Sequence, residues 1–220
     1  ISYLNKFDLD TSAIVRSPRP LGVYFLEVGA VMRASSISYN RSHSSFSEIK
    51  PAMVNWEKSL ENGKWFHWTG ITPALNKGSQ ETLLEGLKLA RKKGMQVSAD
   101  PTYRSGLWKY GENAKDVLSE LVHHSTIFIG GINEINETIC KEFKETEDLD
   151  ITHIIDRIGT GDAFAAGLIH GLQKFDDFKA MQFASAACAI KHTYLGDVNY
   201  ANEKDVITIL NGEITGRLNR

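Results

Sequence analysis

The sequence predicts an α/β fold: a mostly parallel sheet covered by helices, preceded by a small strand-rich region. Three observations carry that prediction. From about residue 65 onward, short apolar runs alternate with amphipathic helical patterns, the signature of strand–helix units and a parallel sheet. Before that point the chain reads as strands and turns. At 220 residues, with 42% hydrophobic and 24% charged residues, it can bury a core of its own as one domain over 1–220.

The elements follow in order. Ser17 to Pro20 is a turn cluster, Gly22 to Val28 an aromatic and β-branched run, and Ile37 to Tyr39 a shorter one, which places strands within 20–47. Arg41 to Ser47 is polar and reads as a loop. Trp65 to Trp68 is an apolar strand ending in Thr69-Gly70. Glu81 to Lys93 is a helix with Leu83, Leu84, Leu87 and Ala90 on one face, stopped by Gly94. Met95 to Ala99 is a strand, and Asn113 can cap a helix carrying Val117, Leu118, Leu121 and Val122. Thr126 to Gly130 is a strand, Asn133 to Phe143 a helix and Ile151 to Ile155 a strand. Gly161 to Leu172, Asp177 to Tyr194 and Glu203 to Leu210 are helices.

Charge and composition exclude several classes. The formal net charge is -2 and no run of one sign appears, so nothing points to a nucleic-acid or membrane surface. Arg91, Lys92 and Lys93 read as cations at a helix C-terminus. No apolar stretch approaches membrane-spanning length. The two cysteines, Cys140 and Cys188, have no metal-ligand spacing, which fits a reduced, cytoplasmic protein.

In open α/β sheets ligands bind beyond the carboxyl ends of the strands. The segments to search are Thr69-Gly70, Asp100 to Trp108, Gly130 to Glu137 and Asp156 to Asp162. The last is the strongest. Asp156-Arg157-Ile158-Gly159-Thr160-Gly161-Asp162 follows a strand and opens a helix. Its glycines let the backbone turn tightly and expose amides, and the helix N-terminus favours an anion. A phosphoryl group in flight is such an anion, and an ionised aspartate beside a substrate hydroxyl can take its proton. The alternative is a plain helix start with Asp162 as a first-turn acid. Behind it, Gly167 and Gly171 stand mid-helix, where glycine costs about 1 kcal/mol against alanine. They predict close packing against a neighbouring helix.

The segment Asp156 to Asp162, with Ala163-Phe164-Ala165-Ala166-Gly167 after it, closely resembles the D-x-x-G-x-G-D signature of the PfkB, or ribokinase-like, carbohydrate kinases. The resemblance extends from about Asp10 to Asn202. It implies a three-layer sandwich with a central, mostly parallel sheet and a β lid, whose strands would lie within 20–47. It implies that Gly159, Thr160 and Gly161 form an anion hole and that Asp162 is the catalytic base. ATP is implied as donor, with Mg2+ bridging its phosphates.

Within that family the chain looks most like the branch acting on 2-keto-3-deoxygluconate. Gly22 to Glu27 resembles the strand that presents a tyrosine, and Ser38-Tyr39-Asn40-Arg41 the tyrosine and arginine pair. Asp100 to Trp108 resembles D-x-N-Y-R-x-x-L-W, and Gly196-Asp197-Val198-Asn199 resembles G-D-x-N. Tyr24, Tyr39, Arg41 and Arg104 are thereby implied to contact the substrate, whose carboxylate an arginine fork can bind bidentately. Structural readings stand beside these: Arg104 in a salt bridge, Arg41 as a loop charge, the tyrosines as sheet aromatics. Gly159, Gly161 and Asn199 are implied at the nucleotide, with Asn199 alternatively an exposed turn residue.

Two departures stand out. Thr102 replaces the family's asparagine. The magnesium-linked N-x-x-E pattern is broken at Asn133-Glu134-Ile135-Asn136-Glu137, so Asn133 with Glu134 or Glu137 is the candidate set, and a capped helix start is the other reading. The chain opens at Ile1 and lacks the family's glycine-rich sugar-binding segment. A second gap is expected between about 141 and 150. The expectation is a longer natural chain, which an intact mass near 24.5 kDa would refute.

The resulting expectation is ATP-dependent phosphorylation of 2-keto-3-deoxygluconate on its terminal hydroxyl by a homo-oligomer whose partners are that acid and ATP. The rivals are a family kinase for a fructose- or ribose-like sugar, and a non-catalytic sugar-acid-binding relative.

Overall fold

The computed structural model describes residues 1–29, 32–131 and 154–212. The backbone divides into two compact units, 1–142 and 143–220.

The first unit opens with a short helix, α1 (Ser2–Asn5), followed by an antiparallel ribbon of β1 (Val23–Glu27) and β2 (Ser36–Asn40). In its register Tyr24 lies opposite Tyr39 and Leu26 opposite Ile37. Two strands therefore lie within 20–47, and they pair with each other. A 3-10 turn at Phe46–Glu48 and α2 (Trp56–Ser59) lead to β3 (Trp65–Thr69). Then come α3 (Ile71–Ala74), α4 (Lys77–Lys92), β4 (Gln96–Asp100), α5 (Ala114–Val122) and β5 (Ile127–Phe128). The sheet is parallel, in the order β3-β4-β5.

Alternation sets the faces of β4. Val97 and Ala99 are buried with Trp68 of β3 against Leu83, Leu87 and Ala90 of α4 and Val117, Leu118 and Leu121 of α5. Ser98 faces the other way, where its hydroxyl meets Trp65 Nε1 and His67 Nδ1, each at 2.8 Å.

Helix α4 starts four residues before the expected Glu81. Asn76 and Ser79 form a reciprocal capping box that satisfies the first amides. β5 is shorter than the apolar run Thr126 to Gly130 suggests. Thr126 instead donates its hydroxyl to Val97 O and its amide to the same carbonyl, at 3.0 and 2.7 Å.

The second unit is helical where described: α6 (Thr160–Leu172), α7 (Asp177–Lys191) and α8 (Glu203–Leu210). α7 ends at Lys191 rather than Tyr194, because the amides of Thr193 and Tyr194 turn back to Ile190 O and Lys191 O. A Cβ on Gly167 would stand 3.0 Å from Ala184 Cα, and one on Gly171 2.8 Å from Ala180 Cα. The small residues of α6 thus serve the predicted close approach to α7. Phe183, Ala186, Ala187 and Ile190 of α7 close a core with Val206 of α8. Lys174 after α6 reaches Glu203 at 2.5 Å. Cys188 is a free thiol whose pKa is pushed up by burial; Cys140 and the expected helix at 133–143 lie outside the described residues.

Candidate active site

The loop Asp156 to Asp162 is built by hydrogen bonds its own sequence provides. Asp156 Oδ1 accepts from the Ile158 amide at 3.0 Å, an Asx turn, and Oδ2 accepts from the Gly196 amide at 2.9 Å. One carboxylate therefore ties this loop to the Tyr194–Asp197 turn. The amides of Ile155 and Asp156 both donate to His192 O, at 2.8 and 3.2 Å.

Gly159 caps α6 in the left-handed region, with φ 77° and no side-chain cap. It also sits against the neighbouring turn, since a Cβ there would lie 2.4 Å from Asp197 O. Thr160 donates its hydroxyl to Arg157 O at 2.9 Å and its amide at 3.4 Å, and Ala163 N donates to Gly159 O at 2.9 Å. That leaves the amides of Gly161 and Asp162 with no acceptor among the described residues. A Cβ at 161 would meet nothing within 4 Å. Asp162 is exposed in the same turn, and no cation of the described residues pairs with it. Two open amides, a helix N-terminus and a free carboxylate can hold an anion beside a proton acceptor.

Asn199 lies two residues past the Tyr194–Asp197 turn, and its side chain is engaged by the protein. Its amide donates to Ala187 O at 3.2 Å and its oxygen accepts from Ala201 N at 3.0 Å. Sequence reasoning assigned nothing to Asp156 beyond its place in the motif, although an aspartate two residues before a loop amide is an Asx-turn signal.

In the first unit the ribbon brings three predicted residues together. Tyr24 and Tyr39 face each other across β1 and β2, and the Arg41 guanidinium lies 4.8 Å from the Tyr39 ring centroid. Arg41 is also packed from behind: a Cβ on Gly22 would lie 3.4 Å from its Cγ. The loop after it is held by Ser45, whose amide and hydroxyl donate to Pro20 O and Arg19 O at 2.9 and 2.7 Å.

Arg104 is exposed in the turn after β4. The strand ends behind it are firmly joined. Gly70 N donates to Asp100 O at 2.7 Å, and a Cβ on Gly70 would lie 2.6 Å from Pro101 O. Thr102 donates its hydroxyl and its amide to Asp100 Oδ1. Neither Arg41 nor Arg104 meets a carboxylate among the described residues, so both forks are open to an anion.

The proposed metal residues Asn133, Glu134 and Glu137 lie outside the described residues. Among the described ones, no group of three or more His, Cys, Asp and Glu is arranged to hold a metal ion. No helix among them is long and apolar enough to cross a membrane.

Comparison with known proteins gives a consistent picture. The pattern of the "pfkB family carbohydrate kinase" matches residues 1–150. A 2-dehydro-3-deoxygalactonokinase of Haloferax volcanii is 24% identical over 230 residues, covering 89% of this chain and 72% of its own. The crystal structure of a 2-dehydro-3-deoxygluconokinase from Thermotoga maritima superposes with a TM-score of 0.84 at 29% identity, over 96% of this chain and 80% of that one. A ribokinase II from E. coli, solved with ATP and Mg2+, shares the fold at TM-score 0.73 and 18% identity, over 87% and 71% of the two chains.

Proposed function

The chain belongs to the pfkB family of carbohydrate kinases, and on that footing we propose that it phosphorylates a keto-deoxy sugar acid of the 2-keto-3-deoxygluconate type on its terminal hydroxyl. The observation that carries the reading is the leading turn of α6, where two amides without acceptors among the described residues adjoin an exposed carboxylate that no described cation pairs. ATP supplies the transferable phosphoryl group when bound, with Mg2+ to balance its charge.

Asp162 accepts the proton of the substrate hydroxyl as that oxygen attacks. The amides of Gly161 and Asp162 face the equatorial oxygens, where charge develops. Gly159 and Thr160 set the turn that aims them. Gly161 leaves open space beside those amides for a nucleotide's phosphates, Gly159 keeps the turn close against Asp197 O, and Asn199 anchors the neighbouring segment. Asn133, Glu134 and Glu137 are the candidates for the metal.

Recognition of the acid is assigned to Arg41 and Arg104, with Tyr24 and Tyr39 giving the sugar an aromatic wall. An arginine fork favours a carboxylate over a neutral hydroxyl by geometry as well as charge. The names of two relatives support that class: both act on 2-dehydro-3-deoxy sugar acids. They differ in the sugar, so the galactonate epimer is the second reading. Phe25 of the ribbon and Val28 just after β1 are 64% and 56% exposed, which supports self-association of the chain. We place the protein in the cytoplasm, where ATP is at hand.

The test is ADP release with 2-keto-3-deoxygluconate, its galactonate epimer, fructose and ribose. Turnover of the keto-deoxy acids well above the neutral sugars is expected. A preference for a neutral sugar overturns the substrate assignment, and no turnover with any of them overturns the kinase reading.

A further inference from the structure

Lys191 is 0% exposed, the bulkiest fully buried side chain among the described residues. A lysine is almost never buried so completely unless it is paired, because its ammonium loses its water. No carboxylate among the described residues lies within ion-pair distance of it. Its Nζ instead donates to the backbone carbonyl of Tyr194 at 3.1 Å. A cation at the end of α7 also suits the carbonyl end of that helix, but a solvated lysine would serve there equally well. Burial of the whole side chain calls for a further reason.

The carbonyl that Lys191 holds begins the turn on which the α6 loop is seated. Two residues on, Gly196, with φ 85°, donates to Asp156 Oδ2 at 2.9 Å. One residue further, the carbonyl of Asp197 lies against Gly159, leaving no room for a Cβ there. Asp156 in turn fixes the Ile158 amide, and Gly159 caps the helix whose next two open amides are those of Gly161 and Asp162. The chain of contact runs Lys191, Tyr194, Gly196 and Asp197, then Asp156 and Gly159.

We infer that Lys191 is a positioning residue for phosphoryl transfer: its buried ammonium, tethered to the Tyr194 carbonyl, fixes the Tyr194–Asp197 turn and so aims the amides of Gly161 and Asp162. Its catalytic consequence rests on the kinase reading above; its effect on the loop does not. The ammonium touches neither substrate nor nucleotide in this role. It acts through the backbone of the turn, and its positive charge keeps the turn carbonyl facing inward.

The experiment compares Lys191→Met and Lys191→Arg with the parent chain by amide hydrogen exchange and steady-state kinetics. Loss of a charge-assisted hydrogen bond should speed exchange at the Gly196 and Ile158 amides by about tenfold in Lys191→Met, with the α8 amides unchanged. The misaimed loop should lower kcat roughly 10- to 100-fold, with KM for the sugar acid unchanged. Lys191→Arg, which keeps a cation, should recover most of both. Should Lys191→Met fail to fold, Lys191→Gln, a donor without the charge, is read in its place. Parent-like exchange at those two amides overturns the inference. So does faster exchange spread evenly over the unit, or faster loop exchange with unchanged kcat. A parent chain that phosphorylates nothing sinks the kinase reading instead, and exchange alone then judges the tether.

Discussion

Gly159 and Gly161 flank one threonine, yet their replacement by alanine should do opposite things to stability. At Gly159 the backbone has φ 77°, a region that costs a side-chain-bearing residue about 1–2 kcal/mol. A Cβ there would also stand 2.4 Å from Asp197 O and 3.1 Å from its carbonyl carbon. Those are backbone atoms held by the Gly196–Asp156 hydrogen bond, so relief requires the turn to move. Overpacking of that kind adds about 1–3 kcal/mol, for a total of about 2–5 kcal/mol. Gly161 has open space around its Cβ position and lies in the first turn of α6. Alanine there should be neutral or stabilise by up to about 1 kcal/mol. Its methyl group, however, would project beside the two open amides, so turnover should fall even though the fold does not suffer. Urea unfolding followed by circular dichroism measures the first effect, and a coupled ADP assay the second. Gly159→Ala within about 0.5 kcal/mol of the parent would refute the packing argument. A fully active Gly161→Ala would refute the placement of the anion.

Three further outcomes follow from the same geometry. Gly171→Ala should destabilise by about 1–3 kcal/mol in thermal unfolding despite the helix preference of alanine, because its Cβ would lie 2.8 Å from Ala180 Cα. Arg104→Ala and Arg41→Met should each raise KM for the sugar acid by about tenfold or more in the ADP assay, while leaving neutral sugars alone, since each removes a charge-assisted fork. The Tyr110 phenol, which donates to Pro73 O at 2.6 Å, is pushed up to about 12, chiefly by burial and then by the Glu112 charge. Because the folded form holds its proton more tightly, the stabilisation is complete below the ordinary tyrosine value near 10 and is lost as pH rises from there through about 12. A spectrophotometric titration should find a late phenol that is absent in Tyr110→Phe.

Much of this was readable in the residues because it depended on local chemistry. Gly167 and Gly171 signalled a close helix contact through their cost, and the contact with Ala184 and Ala180 supplies the reason. The alternating strands and helices from Trp65 onward follow their periodicity. What escaped is non-local or looks ordinary in one dimension. Asn76 and Ser79 precede the apolar stripe of α4, so periodicity alone starts that helix too late. Tyr24 and Tyr39 meet only through the register of a ribbon that their spacing does not specify. Asp156 reads as one more motif position until Gly196, forty residues away, is seen donating to it. Lys191 carries no signal in the sequence, and only the folded unit shows it buried.

The account turns on the side chain at position 162. Replacing Asp162 with asparagine keeps its size and, at an exposed site without an ion pair among the described residues, should leave the unfolding midpoint where it was. Removing a general base should lower kcat for the keto-deoxy acid by about 10²–10⁴-fold with KM little changed. Asp162→Asn turning over at the parent rate would contradict the account.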